Sequence, residues 1–148
     1  MLSRKNSGFT MIEALVILAV LGIAVAGASL FLKPAAAPLQ SATVLTEGYM
    51  RQIRARAMST TSAYRMAPID STRLGASYAA TCGATTWTDD PDFDLELPEG
   101  VEMSSTAWNL CFSSRGLASS NLTISLQHDQ FGTRDIEVLL GGTSRVLQ

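Results

Sequence analysis

One histidine, His128, and two cysteines, Cys82 and Cys111, are all that 148 residues offer of imidazole and thiolate ligands. A lone imidazole excludes the clustered histidines of most metal centres, and two distant cysteines without histidines around them make a poor zinc site. No Gly-x-Ser-x-Gly elbow surrounds any serine, and no phosphate-binding loop is present. His128 stands beside Asp129 after a strand-like segment, with no nucleophile marked out for it. The chain reads as a non-enzyme that needs no cofactor.

Charge is missing from one long stretch. Residues 14–32 (ALVILAVLGIAVAGASLFL) carry none, whereas the rest of the chain is rich in Ser, Thr and Asp. At roughly 1.5 Å per residue this run makes a helix of about 29 Å, close to the thickness of a bilayer core. It is apolar on every side, unlike a core helix of a small domain. It belongs in lipid or in the centre of an assembly of like helices.

A cleaved secretory signal would have a shorter apolar stretch of about 7–15 residues. Its small-residue site is present as Ala35-Ala36-Ala37, but Pro38 follows directly. A plain membrane anchor accounts for the length but not for Glu13, which lies at the head of the run. An acid deep in a bilayer costs about 2.5–3.5 kcal/mol on insertion scales, so a partner is expected unless it sits at the interface. If the chain is cut after Gly8, Phe9 carries a new α-amine and Glu13 becomes the fifth residue. Its carboxylate can then pair with the amine of its own or a neighbouring subunit and set the register between helices. Arg4 and Lys5 ahead of the cut favour a cytoplasmic side for that end.

Gly8-Phe9-Thr10-Met11-Ile12-Glu13-Ala14-Leu15-Val16, behind a basic leader, resembles the class III signal of type IV pilins and type II secretion pseudopilins. The resemblance implies cleavage between Gly8 and Phe9 by a prepilin peptidase that also N-methylates Phe9. It implies a precursor in the bacterial inner membrane, single-pass with its head outside the cytoplasm. Assembly with other pilins or pseudopilins would follow, in the periplasm or at the cell surface. Major pilins often carry a proline midway along this helix; here Leu30 stands near that place, with Gly22 and Gly27 as the weaker helix breakers.

Beyond the apolar run, Pro34 interrupts the helix. Ala42, Leu45, Tyr49, Ile53 and Ala57 then recur at helical spacing, so residues 39–60 read as an amphipathic helix with Glu47, Arg51 and Arg54 on its solvated faces. After Thr60 the period becomes two. The clearest strand is Leu122–Gln127; Ile136, Val138 and Leu140 alternate likewise before a Gly141-Gly142 turn and a last strand over 144–147. Weaker strands are expected at 63–67, 74–79, 101–104 and 108–113. The fold class is α+β: a leader at 1–8, a membrane or filament-core helix at 9–33, a linker and amphipathic helix at 34–60, and a β-rich head at 61–148 packed as an antiparallel sheet on the second helix. The Phe112-Ser113-Ser114-Arg115-Gly116 turn, an alternating strand and the Gly-Gly hairpin are similar to the GspH/FimT group of minor pilins and pseudopilins.

Three further features carry expectations. Cys82 and Cys111 fall in the exported part, where compartment favours a disulfide over two buried thiols. Asp90, Asp92 and Asp94 alternate at a spacing that suits calcium ligands, but the EF-hand template puts Leu95 and Val101 where it needs glycine and an acid, so a solvated loop is favoured. Some FimT-like pilins act in DNA uptake through a basic Gly-Arg-x-Arg tail. Here that stretch reads Gly142-Thr143-Ser144-Arg145. Only Arg115, Arg134 and Arg145 are candidates to converge on DNA, in a chain where acids outnumber bases by 13 to 11. The function expected is that of a minor pilin or pseudopilin; the rivals are a DNA-binding pilin of a competence system and a monomeric membrane-anchored binding domain.

Overall fold

The computed structural model describes the backbone of residues 11–31 and 37–147, with side chains over 11–21 and 38–147. Two compact units divide at Ala35/Ala36. Among its described residues the first contains one helix, α1 (Met11–Phe31), rich in Ala, Leu, Val and Ile, with Glu13 in its first turn. The second contains everything else, so the second helix belongs with the sheets.

That helix, α2, spans Ala37–Thr60. Pro38 sits in its first turn, where a missing N–H costs nothing. At the other end Thr61 adopts a left-handed φ of 52°, and the Ser62 N–H reaches back to the Ala57 carbonyl at 3.2 Å. This is a Schellman stop with threonine where glycine is usual. The buried stripe runs through Leu39, Ala42, Thr43, Thr46, Tyr49, Met50, Ile53 and Ala57. Leu45, expected on that stripe, is instead 44% exposed. Helical geometry gives the reason: Ala42 and Tyr49 are bridged by position 46, and Leu45 stands a further 100° round the axis.

Among the described residues nine strands form two antiparallel sheets. Sheet A holds β1 (Ala63–Pro68), β2 (Arg73–Ala79), β3 (Thr88–Asp89), β4 (Leu95–Glu96) and β6 (Leu110–Phe112); sheet B holds β5 (Val101–Met103), β7 (Leu122–His128), β8 (Gly132–Val138) and β9 (Ser144–Leu147). The order in A is β3-β2-β1-β6, with β4 pairing further along the β2 edge that carries β3; in B it is β5-β7-β8-β9. One sheet region was expected, and β3 and β4 were not. β8 starts earlier and stops earlier than the alternation at 136–140 suggests. Leu140 lies beyond it, 55% exposed, because the turn closes at Leu139, whose N–H binds the Thr143 carbonyl.

The register decides which face each residue serves. In sheet A, Tyr64, Met66, Leu74 and Ala76 point inward; in sheet B, Ile124, Leu126, Ile136 and Val138 do. α2 lies against β1, β5, β6, β7 and β8, so one core serves both sheets. Full burial of a side chain such as Ile53 or Phe112 contributes about 1.5–3 kcal/mol each. The β1–β2 turn is held by Asp70, which accepts bonds from Thr72 and Arg73. The Arg73 guanidinium first, then the Thr72 donors, hold the Asp70 carboxyl down at about 2.

Candidate functional site

Gly8 and Phe9 lie outside the described residues. Glu13 is placed in the first turn of α1, and every described side chain of that helix, 11–21, is exposed. Met11 is 86% exposed, and Ile12, Leu15, Val16, Leu18 and Val20 are each more than half exposed. A contiguous apolar surface of that kind exceeds what a soluble monomer shows to water and marks a membrane or assembly surface. Among the described residues no helix is long and apolar enough to cross a membrane. The described side chains of α1 end at Leu21, so the span expected over 14–32 lies largely outside them.

In the head, polar contacts fasten the C-terminal hairpin to α2. Arg54 Nε donates to the Gly116 carbonyl at 2.9 Å, and Ser144 Oγ donates to Glu47 Oε1 at 3.2 Å. Glu47 also faces Arg51 at 3.8 Å. Arg54 is thus half-buried and engaged, not part of a solvated face as the sequence suggests. The Phe112–Gly116 turn supplies the partner: the Gly116 N–H binds the Ser113 carbonyl at 2.8 Å, and Gly116 takes a φ of +76°. A Cβ on Gly116 would come within 3.0 Å of Arg54 Nε, and one on Gly142 within 2.2 Å of the Gly116 carbonyl oxygen. Two glycines therefore let turn, hairpin and helix meet. Nothing in residue type marks Arg54 for this role; only the two left-handed glycines hint at close approach.

Cys82 and Cys111 are joined, with Cα atoms 5.8 Å apart. The bond ties the β2–β3 loop to β6. The three arginines do not form one surface. Arg145 pairs across the strands with Glu137 and ion-pairs with it, which places both on the outer face of sheet B. Arg134 shares its parity with Ile136 and Val138, opposite Leu126, and so belongs to the other face. Arg115 is exposed in the 113–116 turn. Of the acids, Asp90 is buried and accepts from the Tyr64 hydroxyl at 3.1 Å, whereas Asp92 and Asp94 are exposed around the 3-10 turn Pro91–Phe93. Among the described residues no three carboxylate, cysteine or histidine groups are grouped to hold a metal. His128 accepts from the Gln130 N–H and packs on Phe131.

Two features of the acidic strap Asp89–Glu96 have no signal in the sequence. Tyr49 donates to the Phe93 carbonyl at 2.5 Å, and burial first, then Asp94 and Asp90, push its hydroxyl well above the usual range. On the outer face of sheet A, a cleft of about 440 Å³ lies between β1–β2 and the strap.

The model of the prokaryotic N-terminal methylation motif matches residues 3–29. Solved structures share the fold over about three-quarters of the chain. The type IV minor pilin FimU of Pseudomonas aeruginosa matches at 16% identity and a TM-score of 0.59, over 74% of this chain and 88% of that one. The minor pseudopilin EpsH of the type 2 secretion system of Vibrio cholerae matches at 15% identity and a TM-score of 0.50, over 74% and 95%. No curated protein sequence matches.

Proposed function

From a pilin-like chain, with a prepilin methylation motif at one end and a minor-pilin fold in the rest, we infer a minor subunit of a type IV pilus-like filament. The chain is inserted in the inner membrane as a precursor, cut between Gly8 and Phe9 by a prepilin peptidase, and methylated on Phe9. Its apolar helix then leaves lipid for the filament core. The observation that carries this reading is α1 itself: a methylation motif running into a helix whose described side chains are all exposed and, apart from Glu13, none is charged. Such a surface needs lipid or like helices around it, and a chain that moves between the two needs both.

The head supports a scaffold over a catalyst. Its polar groups mostly fasten turns and helix together, and its arginines face different ways. That placement favours assembly over DNA capture. A filament of a pilus and a pseudopilus of a secretion system ask the same of α1, and both kinds of protein share this fold.

The test is the N-terminus of the mature chain. Intact-mass and N-terminal peptide analysis should give a protein lacking residues 1–8 and beginning at N-methylated Phe9. A mature chain that retains Met1, or that begins after Ala37, overturns the reading.

A further inference from the structure

We propose that the cleft on the outer face of sheet A is a binding site for a lysine or arginine side chain presented by another protein. The floor is set by the register. Arg65 is opposite Ser77, and Ala67 opposite Gly75, so the outward positions of β1 and β2 at this place are nearly all small. Gly75 in particular leaves room for Ile69, whose Cδ1 would stand 2.9 Å from a Cβ there. The result is an apolar trough about 440 Å³ in volume, bounded by Ile69 and Pro68 at one end and by Asp89, Pro91 and Asp94 along the strap.

Charge selects the occupant. Asp89 and Asp94 are both exposed into solvent, and among the described residues neither forms an ion pair or a side-chain hydrogen bond. Among the described residues that line the cleft the one cation is Arg65, and it is committed elsewhere; Arg73, just outside the lining, feels the charge of Asp94 but spends its Nε on Asp70. The Arg65 guanidinium stacks on Trp87 at 4.4 Å, and its Nε donates to Ser77 Oγ at 3.3 Å. The Cys82–Cys111 bond anchors the loop that leads to Trp87, at the strand position opposite Arg65. The arginine is therefore held on its own side, although Asp89 is the cross-strand neighbour of Ser77. What is left is an aliphatic floor with two carboxylates at its edge. A long cationic side chain matches both parts, its methylenes lying on Ala67 and Ile69 and its head between the acids. An acidic or purely apolar side chain satisfies only one.

This proposal does not depend on the filament reading. It is tested with the full chain in detergent micelles and the blocked peptides Ac-Ala-Arg-Ala-NH2 and Ac-Ala-Glu-Ala-NH2, followed by amide chemical shifts. The arginine peptide should give saturable shifts at Ala67, Gly75 and Ser77, and the glutamate peptide should not. Two exposed carboxylates acting together set the size of the effect, so the D89N/D94N double variant should bind the arginine peptide about tenfold more weakly. Ala67→Trp, which fills the floor and keeps both acids, should weaken it at least as much. Absence of saturable binding, equal binding of the glutamate peptide, or unchanged affinity in the double asparagine variant would each overturn the site.

Discussion

Gly132 and Gly142 share a left-handed backbone but not a neighbourhood. Their φ angles are +81° and +75°, yet nothing lies within 4 Å of a Cβ built on Gly132, while one on Gly142 meets the Gly116 carbonyl oxygen at 2.2 Å. Alanine at 132 should therefore cost only the left-handed strain, about 1–2 kcal/mol. Alanine at 142 adds a clash between two backbone segments and disturbs the Arg54 bond, for a total of about 2–4 kcal/mol. Urea unfolding of the two variants side by side checks this; equal losses would mean that the close approach carries no energy. The sequence shows Gly142 as a turn former and no more. It likewise shows the stripe on α2 but misplaces one member, because Leu45 is apolar and Thr46 is not. Thr46 is nevertheless the buried one, since the helical angle outranks residue type when Ala42, Tyr49 and Ile53 already fix the face.

Among elements, the periodic ones were legible, as were the three-residue β5 and β6 expected at 101–104 and 108–113, and the two-residue ones were not. α2 and the strands β1, β2, β7 and β9 follow their hydrophobic period to within a residue or two. β3 and β4 are two residues each, lie in the run Thr88–Glu96, and owe their extension to the β2 edge rather than to any alternation of their own. The α1 segment was legible for a different reason: absence of charge needs no period. Its one acid gives the element-scale prediction. Glu13→Val makes the helix more apolar, so membrane insertion should persist, but the carboxylate that would pair with the Phe9 amine is gone. The variant should stay in the membrane fraction and be strongly depleted from sheared filaments, as judged by immunoblot against wild type. Incorporation at the wild-type level would remove the register role assigned to Glu13.

At the scale of the molecule, the two sheets set how far the arginines can cooperate. A sheet turns cross-strand neighbours to one face and alternate residues to the other, so Arg134 and Arg145 are separated by the thickness of sheet B. Spacing in the sequence could not show this, because parity becomes visible only once the strands are paired. Each phosphate neutralised weakens binding by nearly one logarithmic unit per decade of salt, and few arginines are available to a single DNA backbone here. The full chain should accordingly bind duplex DNA no tighter than micromolar at physiological salt in a fluorescence titration. The R115A/R134A/R145A variant should assemble normally. Tight binding abolished by that variant would make DNA capture the primary activity.

The Cys82–Cys111 bond has a mechanical consequence. The ring it closes contains β3 and β4 of one sheet and β5 of the other. A head pulled between the start of α2 and the end of β9 transmits tension past that ring without drawing it out. The 29-residue separation corresponds to about 100 Å of extended chain. Oxidation therefore shortens the reach of a yielding head by that length, and one edge of each sheet, β3 with β4 and β5, is shielded from the load.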